Sequence, residues 1–362
     1  MRVAIVGASN CILQGTFVEI IKHSKFVTQV DNFSLGGSTT VLLPYAHLTY
    51  DLPSYDVVII DTMINEYLET RPGGRYAIDT GMKMLRTFVG DMKKRGQNVI
   101  FTMMPHKQAL KTDAYDLYAL YKSAAALLGC QVIDLTEAVM AAMLKGVHPD
   151  SLWQDETHIT PLLQRVIARR VLLTLAQYKN SMDFAAGATK PDLTAPSEPL
   201  VARSDFIAGD APIELIQRHS NLVSPIYHQL PLKTPIEFYV PSGSIYGIVY
   251  NSVQFAGHAQ IKTDHGDISF PLGDDDVETR TWRPNQTFRH RVIPFDQIRT
   301  PDESALSGTI TLEAREDSPA IVAEIDCLYG GPLAALPVPN YEGYFAEQEE
   351  LNLLLDDNEQ AA

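Results

Sequence analysis

The chain has 362 residues, a length that accommodates two domains. Its hydrophobic content of 45% and charged content of 20% are those of a globular protein, and its formal net charge of -15 argues against nucleic acid as a partner, because phosphate binding needs clustered Lys and Arg. No apolar run approaches the roughly 20 residues that a bilayer-spanning helix needs, so no membrane partner is expected.

From Met1 to about Asn180, strand and helix patterns alternate. Val3, Ala4, Ile5 and Val6 form a short apolar run that predicts a buried parallel strand ended by Gly7. It starts within three residues of Met1, which predicts no cleavable leader. An apolar-periodic helix follows over Gln14–His23. Further strands are expected near Phe26–Phe33 and at Val57–Ile60, Val99–Met103 and Gln131–Ile133. Helices are expected at Tyr76–Arg95, Asp113–Leu128, Leu135–Lys145 and Pro161–Tyr178. Gly96 and Gly129 stand where C-cap glycines belong. The alternation implies βαβ units and a parallel sheet covered on both faces. This first domain is expected over 1–182.

A linker broken by Pro191, Pro196 and Pro199 is expected over 183–206. The texture then changes to short strands between turn clusters, at Pro212–Ile216, Ile236–Val240, Ile245–Tyr250, Ala259–Lys262, Asp267–Phe270, His290–Ile293, Thr309–Ala314 and Ala320–Leu328. This spacing predicts an all-β sandwich, jelly-roll-like, over 207–334, followed by an acidic tail over 335–362. Tyr239, Tyr246, Tyr250, Phe255 and Trp282 read either as core or as stacking faces for sugars. The acidic run Asp274–Asp276 reads as a solvated turn, with a Ca²⁺ loop as the alternative.

Four predicted strand ends carry residues with chemical potential. Ser9 sits at the first strand-to-helix turn, at the sheet edge where open α/β folds place ligands. It reads as a nucleophile or as a helix cap. The loop Asn32–Thr39 contains Gly36 and Gly37, which allow a backbone N–H to approach a ligand or simply make a turn. The loop Asp61–Glu66 contains Asn65, whose amide is a donor or a turn former. Asp155 precedes His158 by three residues, a spacing that lets a carboxylate orient an imidazole toward a serine. Trp153 beside them reads as a pocket wall or as packing.

The conjunction resembles the SGNH (GDSL-like) hydrolase family, in which Ser, Gly, Asn and His stand in four separate blocks with an Asp three before the His. The matching residues are Ser9 in Gly7-Ala8-Ser9-Asn10, Gly37 in Leu35-Gly36-Gly37-Ser38, Asn65 in Met63-Ile64-Asn65-Glu66, and Asp155 with His158. Two departures stand out: Ala8 replaces the Asp of Gly-Asp-Ser, and the usual Gly-x-Asn-Asp ends here in Glu66. The resemblance implies a flavodoxin-like three-layer α/β/α domain. It implies a Ser9–His158–Asp155 triad, with an oxyanion hole from Ser9, Gly37 and Asn65. It further implies a serine esterase acting on small acyl esters, with no cofactor. A saccharide or small-metabolite ester is the expected partner, and self-association is left open.

Three other readings remain at this stage. An O-acyltransferase would use the same residues with a sugar hydroxyl in place of water. A binding protein could keep the scaffold without the chemistry. A dinucleotide-binding domain fits the apolar opening, but Ser9 stands where the second glycine of the fingerprint belongs. His148, Asp150, Asp155 and His158 do not match a zinc spacing, so no metal is expected. Cys11 reads as packing rather than as a nucleophile. With Cys130 and Cys327 it makes an odd, widely spaced set that points to free thiols, a reducing compartment and a cytoplasmic location.

Overall fold

In the computed structural model, residues 1–70, 76–108, 115–185, 202–207, 212–219, 222–253, 255–273, 290–301, 304–316 and 322–330 are described. The first domain comprises β1 (Arg2–Gly7), α1 (Phe17–Lys22), β2 (Gln29–Asn32), α2 (Leu43–Thr49), β3 (Val57–Asp61), α3 (Met63–Thr70), α4 (Ile78–Lys94), β4 (Asn98–Met103), α5 (Tyr115–Leu127), β5 (Gln131–Asp134), α6 (Thr136–Leu144) and α7 (Pro161–Ala185). The five strands form one parallel sheet in the order β2-β1-β3-β4-β5. This is a flavodoxin-like order, distinct from that of a dinucleotide-binding sheet.

Successive side chains of a strand point to opposite faces, and here both faces are covered. Val3, Ile5, Val57 and Ile59 pack against Phe17 and Ile21 of α1, Val139 of α6 and Ile167, Val171 and Leu175 of α7. Their neighbours Ala4, Val6, Val58 and Ile60 pack against Leu43 of α2, Leu85, Phe88 and Val89 of α4 and Tyr121 and Ala125 of α5. Burial on both sides explains why the strands read as continuous apolar runs. The order reverses at β1, whose Gly7 lies beside Asp61 at the end of β3. The crevice at that switch point is where such sheets place ligands.

The second domain is an all-β sandwich built from β6 (Ala202–Arg203), β7 (Asp205–Ile207), β8 (Glu214–Gln217), β9 (Ile226–Pro231), β10 (Ile236–Val240), β11 (Ser244–Asn251), β12 (Gly257–Thr263), β13 (Gly266–Leu272), β14 (His290–Arg299), β15 (Leu306–Ala314) and β16 (Val322–Gly330). One antiparallel sheet runs β13-β12-β15-β10-β7, and the other runs β14-β11-β16-β9-β8, with β6 attached to β16. Consecutive strands from β14 to β16 alternate between the sheets, as in a jelly roll. Phe238, Ile261, Ile310 and Leu312 of the first sheet meet Ile245, Ile248, Ile325 and Leu328 of the second in the core between them.

The second sheet is covered on its other face too. Tyr246, Val249, Cys327 and Tyr329, with Tyr227 and Val223, join Leu35, Val41, Leu42, Tyr45 and Met84 of the first domain in one apolar cluster. Within it the Tyr45 hydroxyl donates to Asp326 Oδ2 at 2.7 Å, and the Tyr329 hydroxyl donates to the Val41 carbonyl at 3.3 Å. The two domains therefore share a core.

Several expectations are corrected. Helix α7 continues to Ala185, and β6 and the first two residues of β7 lie inside the segment read as linker, so the sandwich begins before residue 207. Helix α1 starts only at Phe17, and α2, α3 and β9 were not anticipated. Tyr246, Tyr250 and Phe255 are buried in cores and offer no stacking face, whereas Tyr239 is 40% exposed. Trp282, Asp274–Asp276, most of the linker and the acidic tail lie outside the described residues.

Candidate active site

Ser9 occupies a single 3₁₀ turn, Ser9–Cys11, immediately after β1. The turn is pinned from below: the Ala8 N–H donates to the Asp61 carbonyl at 2.8 Å, and the Cys11 N–H donates to the Ala8 carbonyl at 3.0 Å. Gly7 makes this sharp exit possible. A Cβ there would lie 2.7 Å from Cys11 Sγ and 3.0 Å from the Asp61 carbonyl, so a side chain would displace the turn. Because α1 begins eight residues after Ser9, its dipole does not act on the hydroxyl as a directly following helix would.

His158 comes from the loop between the 3₁₀ turn Pro149–Ser151 and α7. Its Nε2 lies 2.9 Å from Ser9 Oγ, and its Nδ1 lies 2.6 Å from Asp155 Oδ2. Asp155 Oδ1 accepts the backbone N–H groups of both Thr157 and His158 at 2.8 Å, which fixes the carboxylate beneath the ring. Partial burial opposes the charge on Asp155. The bonds from His158, Thr157 and the His158 backbone outweigh it and hold the carboxyl down to about 2. The three residues thus form a carboxylate–imidazole–hydroxyl relay, joined across 149 positions of sequence.

Asn10, next to the candidate nucleophile, is a residue that sequence reading passed over. It is fully buried. Its Nδ2 donates to the Thr157 carbonyl at 3.1 Å, and its Oδ1 accepts the Ile159 N–H at 3.2 Å. These bonds bracket His158 on both sides, so one side chain registers the serine turn against the histidine loop. Gln164 of α7 adds a second tie, donating to the Asn10 carbonyl at 3.3 Å and accepting the Phe17 N–H at 2.9 Å. The only signal in the sequence was an amide beside the serine, which has no chemical reading until the partner loop is known.

Asn65 is tied to Ser38, the residue after Gly37. The Gly37 loop leaves β2 alongside β1, where the Leu35 N–H donates to the Gly7 carbonyl at 3.0 Å. Gly37 has φ of 77°, a left-handed conformation that favours glycine. Asn65 lies in the first turn of α3 rather than in a loop, and its Nδ2 donates to the Ser38 carbonyl at 3.0 Å. That bond uses one of the two amide hydrogens.

The remaining candidates are structural. Trp153 is 2% exposed, packs in the first-domain core, and its indole N–H donates to the Pro105 carbonyl at 3.2 Å. It is therefore not an exposed pocket wall. Cys11 Sγ donates to Asp61 Oδ2 at 3.1 Å, and burial raises its thiol well above the ordinary range, which removes it as a nucleophile. Burial likewise pushes the Asp61 carboxyl up to about 6. Asp150 pairs with Lys107 at 2.6 Å while Asp155 serves His158, and no group of three or more metal-ligating side chains occurs among the described residues.

No family model matches the chain, and no curated protein matches its sequence. Solved structures do share its fold. A two-domain esterase active on acetylated mannans is 14% identical with a TM-score of 0.61, covering 91% of this chain and 91% of that one. The same kind of esterase, co-crystallised with mannopentaose, is 13% identical with a TM-score of 0.58, covering 91% and 90%. An acetylxylan esterase from Geobacillus stearothermophilus is 17% identical over 48% of this chain and 93% of that one, with a TM-score of 0.41. At these identities the likeness is one of fold, and with the mannan esterase it extends over both domains.

Proposed function

We propose that this chain is a serine esterase of the SGNH (GDSL-like) type that removes small acyl groups, acetyl in kind, from a carbohydrate. The observation that carries the reading is the relay itself, with His158 Nε2 at 2.9 Å from Ser9 Oγ and Nδ1 at 2.6 Å from Asp155. Both distances are within the hydrogen-bond reach that nucleophile activation requires. The resemblance in fold to an esterase of acetylated mannans, over both domains, supports the carbohydrate and the acetyl group.

In this reading the Ser9 hydroxyl proton passes to His158 Nε2 as Oγ bonds to the ester carbonyl carbon. Asp155 holds the ring in the tautomer that leaves Nε2 free and stabilises the imidazolium that forms. The carbonyl oxygen becomes an oxyanion, met by the N–H groups of Ser9 and Gly37 and the side-chain amide of Asn65. Collapse breaks the ester bond, and the imidazolium gives its proton to the departing sugar hydroxyl. Water, deprotonated by His158, then attacks the acyl-serine, releasing acetate and restoring Ser9. A sugar hydroxyl in place of that water would make the same residues an acyltransferase.

The test is labelling with a serine-directed phosphonate, read by peptide mass spectrometry, alongside acetate release from acetylated mannooligosaccharides. Modification confined to Ser9, lost in His158→Ala, with acetate appearing in solution, is the expected result. An unlabelled Ser9, or no acetate release from the intact chain, overturns the reading. Acetyl transfer to added mannooligosaccharide in place of release assigns the acyltransferase.

A further inference from the structure

The departure from Gly-x-Asn-Asp at Glu66 has a geometric counterpart. Glu66 is fully buried, and its partners are hydroxyls and a backbone N–H rather than a cation. Its Oε2 accepts the Thr40 N–H at 2.9 Å, and its Oε1 accepts the Thr40 hydroxyl at 2.7 Å. The Tyr121 hydroxyl, from α5, donates to the same Oε1 and lies 3.4 Å from the Thr40 hydroxyl. Thr40 and Tyr121 are also fully buried. Desolvation raises the Glu66 carboxyl above its ordinary value, against the pull of the bonds from Tyr121 and Thr40.

Thr40 stands three residues after Gly37, and Asn65 immediately precedes Glu66. The first turn of α3 therefore grips one short segment twice, through Asn65 on the Ser38 carbonyl and through Glu66 on Thr40. Helix α4 leaves room for the junction by presenting Gly81. A Cβ there would fall on the Tyr121 hydroxyl, Glu66 Oε1 and Thr40 Oγ1 together. An apolar side chain in place of Glu66 would leave the buried Thr40 N–H without an acceptor, which argues for a carboxylate at this point. Each partner of the clamp is fully buried.

We propose that Glu66, with Tyr121 and Thr40, is the positioning residue of the oxyanion hole, holding the Gly37 N–H and the Asn65 amide in the relative placement that the transition state needs. The inference rests on the serine-esterase reading above. It assigns Glu66 no contact with substrate, so its effect is on turnover rather than on substrate binding.

The experiment compares wild type, Glu66→Gln, Tyr121→Phe and Thr40→Val with p-nitrophenyl acetate, and measures the rate of phosphonate labelling at Ser9. Glu66→Gln is expected to lower kcat about ten- to hundredfold, somewhat less than loss of an oxyanion donor outright, with KM within about threefold of wild type. Tyr121→Phe and Thr40→Val are expected to lower kcat by smaller factors in the same direction. The pH midpoint of kcat/KM should be unchanged, because the Ser9–His158–Asp155 relay is untouched. A Glu66→Gln protein with wild-type kcat per folded molecule but a lower melting temperature overturns the proposal. So does a loss expressed in KM. Should Glu66→Gln fail to fold, full activity in both hydroxyl-deleted variants overturns it. Failure of wild-type Ser9 to label sinks the esterase reading itself. Normal labelling in every variant sinks only the role given to Glu66.

Discussion

Asp155 is held by four hydrogen bonds, from the Thr157 N–H and hydroxyl, the His158 N–H and the His158 ring. Its carboxyl is depressed from 3.8 to about 2, so its pairing stabilises the fold above the unfolded value and is lost only as pH falls through about 2. If the proposed esterase reading holds, the acid limb of a pH–rate profile is therefore not set by titration of Asp155 itself. In Asp155→Asn the neutral amide would turn the imidazole to the wrong tautomer, and kcat should fall by about 10²-fold or more while KM changes little. Steady-state kinetics from pH 4 to pH 9 would show the profile lowered across the range. This pair was legible in the sequence because an i, i+3 carboxylate and histidine is a local pattern. Ser9 was legible because it ends a strand. Asn10 and Glu66 were not, since their partners Thr157 and Thr40 are distant in sequence and carry no mark of their own.

At the scale of elements, β3 ends in a buried acid. Asp61 is fully enclosed, with Cys11 Sγ at 3.1 Å, and its carboxyl is raised from 3.8 to about 6. The native state then holds a proton that the unfolded chain releases near pH 4. Stability is greatest below that value, falls as pH rises from about 4 to about 6, and levels beyond. The displacement corresponds to about 3 kcal/mol. The Asp61→Asn variant carries no such proton, so its unfolding free energy should gain on wild type by about that amount between pH 4 and pH 7. Urea titrations at the two ends of the range measure it. The same stretch shows why elements were misread. Met63 to Thr70 carries Asn65, Glu66 and Glu69 within an otherwise short apolar pattern, and polar residues at a strand end read as a loop. Asn65 and Glu66 are polar because their bonds to Ser38 and Thr40 require it, which masks the helical period. Helix α2 was hidden by its length, Leu43–Thr49 being under two full turns.

Across the whole molecule the unexpected feature is the fusion of the two cores. Strands β10 and β12 alternate buried and exposed residues, as one-sided strands do, whereas β11 is buried at every position. In an antiparallel sheet a run such as Ile245 to Tyr250 marks a strand covered on both faces. That signal was present in the sequence, but it does not say what covers the second face. Asp326 is 1% exposed and is shared by Tyr45 and Arg203. Removing the phenol in Tyr45→Phe strips a bond from a buried carboxylate, so stability should drop by about 1–3 kcal/mol. The two domains should melt in one calorimetric transition in both proteins, and separate peaks would contradict a shared core.

The contact between β14 and the turn Thr40–Leu42, with Tyr329 on the Val41 carbonyl, joins the sandwich to the segment that follows Gly37. The C-terminal half is thus not an accessory that recombination can exchange at will. A chain cut after α7 would bare Leu35, Val41, Leu42 and Tyr45 to water at once. Any substitute module would have to arrive with a matching wall of tyrosines. Inheritance of this protein is therefore expected to be all-or-nothing, with both halves drifting in step along that seam.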